Sequence, residues 1–177
     1  MILETVRIIA DWLTDATYGV NAVRLTVPKD TGVLDFPAVT VLDSTRNSAV
    51  ARGGVPNLAA NQFPALLVTP ADQPGTMQRA GIKPGGYMTL TVLIRYATRE
   101  LDTAKAERDA SQTIKCVVRQ LPLLFRVAGS EANRERADVQ VHALEDLSIA
   151  ALYESTDDTT VTGGVLVTCL VRNTALV

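Results

Sequence analysis

The stretch 87–121 reads YMTLTVLIRYATRELDTAKAERDASQTIKCVVRQL, and its two halves repeat with different periods. In 87–97, Met88, Leu90, Val92, Ile94 and Tyr96 alternate with Thr89, Thr91, Leu93 and Arg95. Successive side chains of a strand point to opposite faces, so this segment predicts a strand with one covered and one wetter face, as in an antiparallel sheet. Next, Ala110, Ile114, Val117, Val118, Leu121 and Phe125 fall on one face of a 3.6-residue period. Lys105, Glu107, Arg108, Asp109, Gln112, Lys115 and Arg119 fill the opposite side. Asp102 or Thr103 stands where an N-cap belongs, and Pro122 bends or ends the helix. The prediction is a long helix packed over a sheet.

Working outward, Ile2, Val6, Ile9, Ala10 and Leu13 predict an N-terminal helix. Ile8 and Trp12 form a second apolar pair beside that stripe, expected to touch something other than the sheet, such as a neighbouring subunit. Val23, Leu25 and Val27 alternate as a short strand ended by Pro28. Phe36-Pro37-Ala38 opens a strand over 36–42, and Phe63-Pro64-Ala65 one over 63–68. The segments 43–62 and 70–86 are rich in Gly, Pro, Ser and Asn and predict two long loops. Residues 139–153 give one or two strands around Glu145-Asp146. The closing strand, 160–172, has Val161, Val165, Val167, Cys169 and Val171 on one face and Leu166 and Leu170 on the other. Gly163-Gly164 within it predicts a bulge or a close backbone approach. The expected fold class is α+β: one domain over 1–177, a mostly antiparallel sheet, an N-terminal helix and one long helix on one face, and long loops.

Composition narrows the function. Hydrophobic residues are 47% of the 177, charged residues 20% and aromatics 5%. That composition is globular, with an aliphatic core. A net charge of −2 without a concentrated basic face argues against nucleic acid as the main partner. The basic stretch with Arg119, Arg126, Arg134 and Arg136 is interrupted by Glu131 and Glu135, as in a solvated helix end. Two cysteines, Cys116 and Cys169, make no disulfide framework and suit a reducing compartment. Cys116 is placed on the polar side of the long helix, Cys169 in an apolar strand. No apolar run approaches the ~20 residues of a membrane span, and Glu4, Arg7 and Asp11 do not fit a signal peptide. The expectation is a soluble protein with no membrane association.

Chemistry is sparse. His142 is the only histidine, which excludes sites built on several histidines, and it reads as a half-exposed strand residue. Gly53-Gly54 and Gly85-Gly86 make no phosphate-binding fingerprint. Asp157-Asp158 lacks the spacing of a calcium loop. Glu145 and Asp146 are adjacent, so along a regular strand they point to opposite faces. No catalytic, cofactor or metal residues are assigned.

The layout resembles the tail terminator proteins of long-tailed bacteriophages, including the lambda type. The resemblance lies in the N-terminal helix with Trp12-Leu13, the early strand Phe36-Pro37-Ala38-Val39-Thr40-Val41, and a following loop. It continues in the strand around Leu90-Thr91-Val92, which leads straight into the helix from Asp102 to Leu121, and in the closing Gly163-Gly164-Val165-Leu166-Val167. It implies a virion protein, assembled in the bacterial cytoplasm, that forms a six-fold ring at the head-proximal end of the tail. The ring caps the tube, ends its polymerisation and offers the head-joining surface. It further implies no enzyme activity and no cofactor. The implied partners are the chain itself, the tail tube protein and a head–tail connector or neck protein, with DNA only passing through.

A ring needs a heterologous self-contact, one face of the subunit against a different face of the next. Ile8 and Trp12 are expected in it, with Arg46, Asn47, Arg52 and Asn61 in the first loop and Gln73, Met77, Arg79 and Lys83 in the second. Two other readings stand beside this one. The chain is another neck, connector or tail-tube component, or it is a small-molecule-binding protein or an enzyme without a recognisable motif.

Overall fold

The computed structural model describes residues 1–26, 36–51, 57–71, 86–156 and 158–174. It is α+β, as expected. Among the described residues six strands form one sheet: β1 (Thr40–Asp43), β2 (Ala65–Pro70), β3 (Tyr87–Thr98), β4 (Glu135–Arg136), β5 (Val139–Thr156) and β6 (Thr159–Asn173). Their order is β1-β2-β3-β6-β5-β4. Every pair is antiparallel except β1 with β2, which is parallel. Parallel neighbours need a crossover. It runs through the short helix α3 (Ser48–Ala51) and a 3-10 turn at Ala60–Gln62. Asn47 starts α3, its Oδ1 accepting the amides of Ala49 and Val50.

Helix α1 (Ile2–Leu13) lies over β1 and β2 and reaches β5, while α4 (Thr103–Gln120) lies over β6 and β3. Both sit on one face of the sheet. Between them and the strands, Ile9, Leu13, Leu66, Val68, Val92, Ile94, Val117, Val165 and Val167 close one core. Each such side chain contributes about 1.5–3 kcal/mol on burial. Asp102 is the N-cap of α4, its carboxylate accepting the Lys105 amide at 3.1 Å. Pro122 ends the α-helix as predicted, and the chain continues as a 3-10 turn over Leu121–Phe125.

The strand predicted over 23–27 is not formed. Val20–Val23 is a helical turn, α2, and the chain stays in turns to Thr26. Gly19 explains the change. Its amide bonds to the Asp15 carbonyl, and a Cβ there would lie 2.4 Å from that oxygen. This tight turn delivers Val20, fully buried, to the core and leaves Leu25 60% exposed. Val27 and Pro28 lie outside the described residues. The ladder of the next strand begins at Thr40 rather than 36, because Asn21 takes both backbone groups of Val39 through its side chain.

Gly163 is the predicted bulge. It has φ +68°, and β6 carries one extra residue there relative to β3, between the pairs Arg95–Gly164 and Ala97–Val161. The bulge corrects one expectation. Val161 does not share a face with Val165; it packs on the opposite face, with Ala97, Ala65, Leu67, Val50 and Leu58. An extra residue reverses the alternation beyond it.

Candidate functional site

The residues expected at a subunit boundary divide into three groups. Ile8 and Trp12 are each 2% exposed and belong to the chain's own core. The Trp12 ring stacks on Tyr18 with centroids 5.4 Å apart, and its indole N–H donates to the Gln120 carbonyl at 2.8 Å. The second apolar side of α1 therefore covers the C-terminal end of α4, not a neighbour. Arg46 is also engaged internally: its guanidinium pairs with Asp43 at 2.5 Å and with Asp11 at 2.7 Å. Arg136 reaches the other Asp11 oxygen at 2.6 Å, and the Arg7 Nε donates to Thr45 at 2.7 Å. Asn47 caps α3, and Asn61 is exposed on the 3-10 turn. Arg52, Gln73, Met77, Arg79 and Lys83 lie outside the described residues.

Asp43 is buried at the centre of this polar cluster. Burial acts to raise its pKa, but hydrogen bonds from Thr45 and Arg46 outweigh it and hold the carboxyl below its ordinary value. The cluster ties α1, the end of β1 and β4 together.

Cys116 is not on a polar surface. Gln112, Cys116 and Gln120 are all buried; α2 packs against α4, and Trp12 of α1 reaches the Gln120 carbonyl. Burial pushes the Cys116 thiol up to about 11 and, with some help from Glu145, the Cys169 thiol up to about 12. Neither is a thiolate near neutral pH, so neither has nucleophile character. His142 is exposed at a register shift in β5, with its ring edge-on to Tyr87 at 5.4 Å. Glu145 and Asp146 reach the same face after all. Another register shift lies between Leu144 and Asp146, so Glu145 accepts from Thr89 at 3.0 Å while Asp146 stands opposite Thr168. Among the described residues no three His, Cys, Asp or Glu side chains gather as a metal site would require. No helix among them is long and apolar enough to cross a membrane.

Three surfaces stand out among the described residues. A cleft of about 800 Å³ opens between Phe36, Phe63 and the start of α4. Tyr96 and Asp109 are among its lining, and burial raises the pKa of both. Its cations already have partners: Arg24 donates to the Phe36 carbonyl at 2.9 Å, Arg99 to the Leu58 carbonyl at 3.0 Å, and Lys105 to Glu100. The second surface is the sheet face away from α1 and α4. The crossover cluster covers its β1–β2 end, whereas Thr89, Thr91, Leu93, Leu166, Thr168 and Leu170 stay only half-buried on it. The third is a groove of about 480 Å³ between α4 and the distal half of β5, lined by Ala110, Ile114, Ile149, Leu152, Tyr153 and Gly163 among others. Ile149 and Tyr153 are 71% and 67% exposed.

Comparison of the chain with family models, with curated proteins and with solved structures finds no match.

Proposed function

We propose that the chain is a structural virion protein of a long-tailed bacteriophage, a tail terminator that caps the tail tube as a ring, stops its polymerisation and presents the head-joining surface. The observation that carries this reading is the sheet face left half-buried over β3 and β6. Two helices cover most of one face, while the other offers a row of threonines and leucines. A surface of that composition suits contact with other protein rather than bulk water alone. The order of elements, from the Trp12 helix through the long strand–helix unit to the closing Gly163 strand, supports it as the layout the resemblance implies.

The experiment is to add the purified chain to phage tail tubes with open ends. A ring of subunits at one tube end, with elongation arrested, is the expected result. Tubes that keep growing, with the chain unattached, overturn the terminator reading. Attachment along the tube or at a neck complex instead points to another tail or connector component.

The cleft beside Tyr96 and Asp109 favours a small-molecule reading to a lesser degree, since its cations are already bonded within the chain. A rise in unfolding temperature with a defined ligand, lost in Asp109→Asn, would support it.

A further inference from the structure

The β5 edge of the sheet is open. Beyond Gln140, where β4 stops pairing, no described strand lies outside β5. Register shifts interrupt its pairing with β6 at Val141/Ala143, Leu144/Asp146 and Ala150/Tyr153. Between them, Asp146 to Ala150 pair regularly with β6 from Thr168 to Gly164. These five residues are a regular strand edge whose outward backbone groups have no strand partner among the described residues, and such an edge is a template for another strand. Ile149, on the helix side of this segment, is an exposed apolar residue of the adjoining groove.

We propose that this edge and groove dock a second copy of the chain across a two-fold axis at Ser148. The opposite sheet edge does not supply the partner: β1 has four residues and starts where Asn21 has taken the backbone groups of Val39. The long edge available in another copy is β5 itself. Strand pairing of like with like, antiparallel, is closed by a two-fold axis and does not propagate. The flanking bulges bend the strand away and confine the pairing to the regular segment.

The side chains fit this register. With Ser148 opposite its counterpart, Ile149 meets Leu147 of the other copy on the helix side, so apolar covers apolar. On the other side Asp146 meets Ala150, so no carboxylate faces another. Tyr153 of each copy then lies beside the joined grooves. This inference concerns the free chain and does not depend on the tail reading, which uses the open sheet face.

The test uses the full chain in light scattering behind a sizing column, with two variants. A dimer is expected for the unmodified chain. Ile149→Lys, a change at an exposed site, is expected to raise the dimer dissociation constant about tenfold or more, with circular dichroism unchanged. Ser148→Cys is expected to form a covalent dimer under mild oxidation, reversed by reductant, since antiparallel partners stand within disulfide reach. Tyr153→Cys, whose counterpart lies ten positions away in this register, is the control and is expected not to cross-link. A monomer at all concentrations overturns the proposal. So does any oligomer that Ile149→Lys leaves intact and Ser148→Cys fails to cross-link.

Discussion

The indole N–H of Trp12 donates to the backbone carbonyl of Gln120 at 2.8 Å, joining the first helix to the C-terminal end of the long one across 108 positions of sequence. The last carbonyls of a helix have no partner within it, and a buried one is costly to leave unpaired. One aromatic side chain thus fills the space between α1 and α4 and satisfies that end.

Trp12→Phe tests the hydrogen bond apart from the packing. It keeps most of the ring contact with Tyr18 and removes the donor, so a loss of about 1–2 kcal/mol is expected. Trp12→Ala removes both and is expected to cost about 3–5 kcal/mol. Urea unfolding followed by circular dichroism reads both values, and an unchanged midpoint for Trp12→Phe would show that the bond contributes nothing separable.

Gly163 is expected to resist substitution for two reasons. Its φ of +68° disfavours any side chain, and a Cβ there would sit 2.8 Å from the Ile114 Cδ1. Gly163→Ala should therefore destabilise by about 1–3 kcal/mol. Combining it with Ile114→Val, which removes the clashing methyl, should recover part of the loss but not the backbone strain. A double-mutant cycle on urea midpoints measures the shared part.

Asp43 gives the stability a defined acid dependence. Its folded pKa lies below the ordinary 3.8, so its contribution is present above that value and is lost as pH falls through the lower, folded value. Asp43→Asn is expected to cost about 1–3 kcal/mol at neutral pH and to flatten the fall in stability below about pH 4. Unfolding midpoints from pH 7 down to pH 2 for both proteins would show it; parallel curves would remove Asp43 from the account.

Both cysteines are fully buried, with thiols raised to about 11 and about 12 by that burial. Neither should react with a thiol reagent at pH 8 while the chain is folded, and two should react in denaturant. Rapid labelling of either one under native conditions would mean that α4 or β6 opens locally.

Much of this fold is legible along the chain because local periodicity reports it. The alternation from Met88 to Tyr96 marks the covered face of β3, and the stripe from Ala110 to Leu121 marks the side of α4 that meets the sheet. The Asp102 cap and the Gly163 bulge are local chemistry and appear where the residues imply. The strand expected at Val23 failed because three alternating residues carry less information than the Gly19 turn before them. Ile8 and Trp12, expected at a subunit boundary, are interior for another reason. An apolar residue beside the main stripe of a helix says that something covers it, not whether the cover comes from its own chain.

The sequence by itself determined the N-terminal and long helices, the covered face of β3, the sheet-facing stripe of α4, and the α+β class that follows from them. The tertiary structure alone decided that Trp12 and Cys116 are interior, that Glu145 and Asp146 share a face, and that β5 lies beside an open edge with Ile149 exposed. Those outcomes depend on residues far apart in the chain: α1 against the end of α4, a bulge counted against a partner strand, and the order in which six strands pair. Periodicity records what a segment needs to bury; only the assembled chain settles what buries it.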